Sequence, residues 1–117
     1  MNSGVYLAIF RLPRTRTIAV GRLGRFILRR GFYMYVGSAQ RNLEARLTRH
    51  SLRRKPLRWH IDYFSAKAPL VGALALRGPK SWECRLAAIM AKYYLLPVAR
   101  FGASDCRCGG HLFYRPT

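Results

Sequence analysis

Nine consecutive residues near the N-terminus, Gly4–Leu12 (GVYLAIFRL), leave almost no polar side chain to turn toward water. The run is rich in β-branched and aromatic types and does not alternate. It is therefore expected as a strand covered on both faces, which requires strand partners at its sides and further layers above and below. Partners follow in the chain. After the turn Pro13-Arg14-Thr15, Thr17–Gly21 (TIAVG) reads as a second strand, and Phe26–Leu28 extends that hairpin or adds to it. Gly31–Gly37 (GFYMYVG) alternates, with Phe32, Met34 and Val36 on one face and Tyr33 and Tyr35 on the other. Leu70–Arg77 and His111–Tyr114 complete the set. Hairpin spacing favours an antiparallel sheet.

Helical periodicity fills the gaps. Asn42 is placed to cap a helix that carries Glu44 in its first turn and runs to about Leu52. Leu43, Arg46, Leu47 and His50 fall at i, i+3, i+4 and i+7 and share one face. Arg53-Arg54-Lys55-Pro56 ends it. Leu57–Ala68 is expected as a second helix with Leu57, Ile61 and Phe64 on one side. Ser81 is expected to cap a third, running to about Tyr94 with Leu86, Ala87 and Met90 inward. The fold class is thus α+β: one domain over 1–117, with a small, mainly antiparallel sheet flanked by helices.

Charge narrows the function. Lys and Arg number 22 against 4 Asp and Glu, a formal net charge of +18, while half the residues are apolar. The apolar half excludes a disordered polycation. The charge disfavours a neutral metabolic enzyme and points to a polyanionic partner, with nucleic acid the natural one. Arginine's planar fork suits phosphate oxygens. Arg25, Arg29, Arg30, Arg41, Arg49, Arg53, Arg54, Lys55 and Arg58 are the candidate phosphate-tracking surface, one that positions a nucleic acid without reading its sequence. No apolar run reaches the roughly 18 residues of a membrane span, so no membrane partner is expected. The first residues lack the order of a secretory signal, and three cysteines are an odd count; both readings favour the cytoplasm.

Chemistry concentrates around two tripeptides, Gly4-Val5-Tyr6 and Tyr35-Val36-Gly37. Alone they are sheet aromatics with turn glycines. Ser38-Ala39-Gln40-Arg41-Asn42-Leu43 follows the second, and then Arg46 and His50 one turn apart. Two hydroxyls facing a guanidinium and an imidazole could hold a phosphodiester and move its protons. On GVYLAI, FYMYVGSA and NLEARLTRH, roughly residues 4–95 resemble the GIY-YIG endonuclease superfamily. With RWHIDY, Glu83-Cys84 and FGASDCRCGGHLFY added, the whole chain is similar to the small GIY-YIG-like family DUF123.

The resemblance implies a GIY-YIG nuclease-like fold and metal-dependent hydrolysis of DNA. By position, Tyr6 would help activate water, Arg46 would steady the phosphate and Glu83 would hold a single Mg²⁺ or Mn²⁺. Tyr35 and His50 would assist, with Gly37, Ser38, His60 and Asp62 as further auxiliaries. The two tripeptides are farther apart than is usual in the superfamily. The asparagine that often follows its acidic helix is missing, since the only asparagines are Asn2 and Asn42. A catalytically inactive DNA- or RNA-binding module on the same scaffold is the alternative.

Two readings stay open from the residues alone. Glu83 in a helix first turn is favoured there by the dipole without any metal, but only Glu44, Asp62, Glu83 and Asp105 could offer a carboxylate to a hard cation. Cys106, Cys108 and His111, joined by Cys84, could form a zinc site, although Cys-x-Cys is tighter than the usual ligand spacing. The other reading is structural thiols, with Asp105 tying down loop amides. A disulfide is not expected.

Overall fold

The computed structural model describes residues 2–104 and 106–116. The apolar run forms strand β1 (Gly4–Leu12). A hairpin of β2 (Arg16–Val20) and β3 (Gly24–Leu28), joined by a single 3₁₀ turn, leads into β4 (Gly31–Ala39). Helices α1 (Leu43–Ser51) and α2 (His60–Ser65), strand β5 (Leu70–Leu76), helix α3 (Trp82–Met90) and β6 (Leu112–Arg115) follow. The main sheet has the order β5-β1-β4-β6 and is antiparallel throughout. The α+β class expected from the sequence is the class observed.

β1 is central and covered on both faces, which is why its sequence does not alternate. Tyr6, Ala8, Phe10 and Leu12 belong to a core that includes Leu43 of α1 and Ile61 and Phe64 of α2, with Ile18 and Leu28 of the hairpin. Phe64 meets Phe10 edge-on at 5.6 Å and Tyr33 at 4.9 Å, ring centre to ring centre. Across the sheet, Met34, Val36 and Phe113 pack with Ala87 and Met90 of α3, and Leu7 and Ile9 lie against them. Each face of β1 therefore meets its own layer. No helix among the described residues is long and apolar enough to cross a membrane.

Three local expectations are corrected. The stretch Leu57–Ala68 is helical only over His60–Ser65. Trp59 is extended (φ −113°, ψ 160°), and the buried Asp62 carboxylate accepts the amides of Arg58 and Trp59, which starts the helix later than the apolar spacing implied. Leu57 is exposed and does not join Ile61 and Phe64. Asn42 does not cap α1 with its side chain. It is left-handed (φ 57°), and the N-terminal segment supplies the cap: Asn2 Oδ1 accepts the Asn42 amide and Asn2 O the Leu43 amide. Ser81 is itself helical and makes no side-chain cap. Regular α3 ends at Met90, with single turns carrying the chain on to Tyr94.

Candidate functional site

The β1–β4 register pairs Tyr6 with Gly37 and Ala8 with Tyr35. The Tyr6 ring lies across Gly37 so closely that a Cβ there would sit 2.4 Å from the hydroxyl. Only glycine leaves room for this. The hydroxyl then reaches His50 on α1, with Oη 2.6 Å from Nε2. Both residues are buried. Burial pushes the Tyr6 phenol well above its usual value, against the opposing charge of Arg46. Burial, aided by the Lys55 charge, pushes His50 down to about 4. At neutral pH the pair is a neutral phenol and a neutral imidazole. Tyr35 stands beside them, its ring 6.3 Å from Tyr6 and 5.8 Å from His50, with its own phenol raised by burial.

Arg46, one turn before His50, donates from Nη1 to Ser38 O at 3.1 Å and stacks 4.5 Å over the Trp59 ring. Among the described residues no carboxylate pairs with it, so its remaining donors stay free for an anion. Glu83, in the first turn of α3, arrives from the other face of the sheet at the end of β4. Its Oε1 accepts the Ser38 hydroxyl at 2.5 Å, and its Oε2 lies 3.0 Å from His111 Nδ1. Burial alone would raise its carboxyl, but the hydrogen bonds from His111 and Ser38 outweigh that and hold it below the usual carboxylate range. Tyr6, Tyr35, Arg46, His50 and Glu83 all line one cleft of about 380 Å³. The residues expected to act together are brought together.

Others are placed elsewhere. Arg49 and Lys55, expected on the phosphate-tracking surface, are engaged by the protein itself. Arg49 donates to Asp62 Oδ2 and to Pro56 O, each at 2.7 Å, and Lys55 Nζ donates to Arg49 O and Ser65 Oγ. Both tie α1 to α2, because Asp62 is fully buried there and needs a cation. Asp62 is therefore a structural anchor and not part of the cleft. His60 also turns away, accepting the Gly102 amide on Nδ1 at 2.8 Å. Arg53 donates to Ala66 O. Arg25 on β3, and Arg29 and Arg30 after it, do not line the cleft, and Arg29 packs over Tyr114. Arg41 does line it. Arg54 and Arg58 are exposed, Arg58 near the Trp59 ring.

Sequence reasoning missed three roles. Trp59 gathers the guanidinium groups of Arg46, Arg49 and Arg58 around one ring at the cleft wall. Lys80 contributes a third cation to the cleft, beside Arg41 and Arg46. His111 is the direct partner of Glu83. The string RWHIDY carried a signal for the first, since an aromatic beside an arginine-rich helix invites stacking. Nothing in the local spacing joins His111 to Glu83.

The thiols are not scattered. One ligand atom from each of Cys84, Cys106, Cys108 and His111 lies within 4.8 Å of all the others, and the three cysteines are unpaired. Asp105, expected to order this loop, lies outside the described residues. Compared with known proteins, residues 5–117 match the family described as Domain of unknown function DUF123. No curated protein and no solved structure matches.

Proposed function

Because the chain belongs to the DUF123 family, whose description assigns no activity, we propose its function from the cleft itself: hydrolysis of a DNA phosphodiester in the manner of the GIY-YIG endonucleases. The observation that carries this reading is the convergence of Tyr6, Tyr35, Arg46, His50 and Glu83 on one cationic cleft. Side by side on β1 and β4, Gly4-Val5-Tyr6 and Tyr35-Val36-Gly37 support the superfamily link. Three unpaired cysteines support a reducing, cytoplasmic setting.

Each residue has a role that follows from its state. Tyr6 does not ionise at neutral pH, so it acts as a relay. It takes a proton from the attacking water as its own passes to neutral His50 through the bond already formed. Arg46 places its unpaired donors on the phosphate oxygens, where charge builds in the transition state. Tyr35 borders the phosphate and excludes water beside the relay. Arg41 and Lys80 add positive charge along the strand path.

Glu83 fits a hard divalent cation: among the described residues it is the one carboxylate lining the cleft, and each oxygen keeps a lone pair beyond its single donor. Mg²⁺ or Mn²⁺ held there would polarise a phosphate oxygen and offset charge on the leaving group.

A second reading, a binding module without turnover, is favoured by the same carboxylate. Ser38 and His111 already engage both of its oxygens, so the ligand set for a cation is thin. A nicking assay on plasmid and single-stranded DNA with Mg²⁺ or Mn²⁺ decides between them. Hydrolysis predicts cleavage by the wild type and loss in Glu83→Ala and Arg46→Ala. Equal cleavage by all three discards the site. DNA binding without cleavage under any metal establishes the module.

A further inference from the structure

We propose that Cys84, Cys106, Cys108 and His111 bind one Zn²⁺, and that His111 links this ion to Glu83. The four ligand atoms lie within 4.8 Å of one another. Tetrahedral zinc with Zn–S bonds of about 2.3 Å needs ligand atoms about 3.8 Å apart, so closing the set takes a small contraction and no rearrangement of the chain. Three soft thiolates and one imidazole are a ligand set that selects zinc over the hard cations suited to Glu83.

The histidine is oriented as a metal ligand needs to be. His111 Nδ1 faces two acceptors, Glu83 Oε2 at 3.0 Å and Val36 O at 3.1 Å. A nitrogen between two acceptors carries the proton. That leaves the lone pair on Nε2, which points at Cys106 Sγ, 3.6 Å away. The order carboxylate, imidazole, soft-ligand cluster is the arrangement in which an outer partner fixes a metal-bound histidine.

The backbone around the cluster is built independently of any ion. Arg100, left-handed at φ 67°, donates its guanidinium to the carbonyls of Ala103, Cys106 and Cys108. Its amide binds Gly109 O, and the His111 amide binds Phe101 O. A cation here otherwise dedicated to loop carbonyls presents Cys106 and Cys108 on one turn. Cys84 comes from the first turn of α3, next to Glu83, so one helical turn serves the cleft with one residue and the cluster with the next. A site of three thiolates and Zn²⁺ carries net negative charge, which a chain of +18 accommodates.

Only the link to Glu83 rests on the proposed reading of the cleft; the zinc site itself does not. The test uses the full chain purified under reducing conditions with added Zn²⁺. One tightly held zinc per chain is expected by elemental analysis. Replacement by Co²⁺ should give the visible bands of a tetrahedral site and thiolate charge transfer. The double variant Cys106→Ser/Cys108→Ser should lose both signals. Should that variant fail to fold, X-ray absorption of the wild type should show three sulfur ligands and one nitrogen.

A folded wild type without zinc, a disulfide among the three thiols, or undiminished zinc in a folded double variant overturns the site. Glu83→Gln should keep one zinc per chain with affinity weaker by about 10–100-fold; unchanged affinity removes the link. A wild type that holds zinc but cleaves nothing keeps this site and ends the hydrolytic reading. One that cleaves without zinc does the reverse.

Discussion

The Tyr6 hydroxyl and His50 Nε2, brought from positions 44 residues apart, lie 2.6 Å from each other in the buried wall of the cleft. The contact depends on a strand register that sets Tyr6 against Gly37 and on a helix that turns His50 inward beside Arg46. Its consequences can be measured.

Acid should destabilise the protein through His50. The groups facing it are Tyr6 and Tyr35 from the sheet, Arg46, Arg49 and Lys55 from α1 and the segment after it, and Asp62 from α2. Burial and the Lys55 charge outweigh Asp62 and bring its pKa from 6.5 down to about 4. The unfolded chain therefore binds the proton first as pH falls. Stability is complete above about pH 6.5 and declines between 6.5 and 4, by up to about 3 kcal/mol for this one group. Urea midpoints at pH 7 and pH 4.5 test this. His50→Gln should flatten the decline over that window, and a slope equal to wild type would remove His50 as its cause.

Gly37→Ala should break the relay without touching either partner's chemistry. The new methyl would fall 2.4 Å from the Tyr6 oxygen and 2.5 Å from its ring carbon, so the ring must move. A cost of about 1–3 kcal/mol is expected. The more specific readout is His50 by NMR titration, whose pKa should rise toward the ordinary value as its burial is disturbed. Retention of a pKa near 4 would show the ring undisplaced.

Arg46 and Arg49 should separate cleanly. Arg46→Ala removes donors aimed at the cleft and is expected to lower cleavage by about 10²–10³-fold, with a stability change of about 1 kcal/mol for the lost bond to Ser38 O. Arg46→Lys restores the charge but not the fork, and should recover only part of the rate. Single-turnover cleavage with thermal melting checks both.

Arg49→Met should instead unfold the protein readily. It leaves the buried Asp62 carboxylate without its cation, a loss of about 3–5 kcal/mol. DNA affinity of the remaining folded protein should keep its salt dependence. Arg41→Ala, on the cleft wall, should leave stability unchanged and reduce the log–log salt slope by about 1. Equal slopes for wild type and Arg41→Ala would exclude Arg41 from the phosphate path.

The strands were legible because apolar pattern and pleat share one period: an unbroken apolar run had to be the doubly covered β1, and an alternating one the neighbouring β4. The inward face of α1 was legible for the same reason, since i, i+3, i+4 and i+7 leave Leu43 and His50 one common direction. The starts of α1 and α2 were not, because Asn2 and the buried Asp62 supply partners that no local window contains.

The amino-acid sequence by itself determined which residue types were available to a phosphate or a metal, and that a large positive charge sought an anion. It set Arg46 on the inward helix face and Arg49 on the phosphate-tracking surface but offered both to phosphate; the packing of α2 decided that one guanidinium meets a carboxylate while the other stays open. It offered Cys84 and His111 together as one of two readings, and it did not join Glu83 to His111 at all. Those contacts cross the sheet's end, where distance in space owes nothing to distance along the chain.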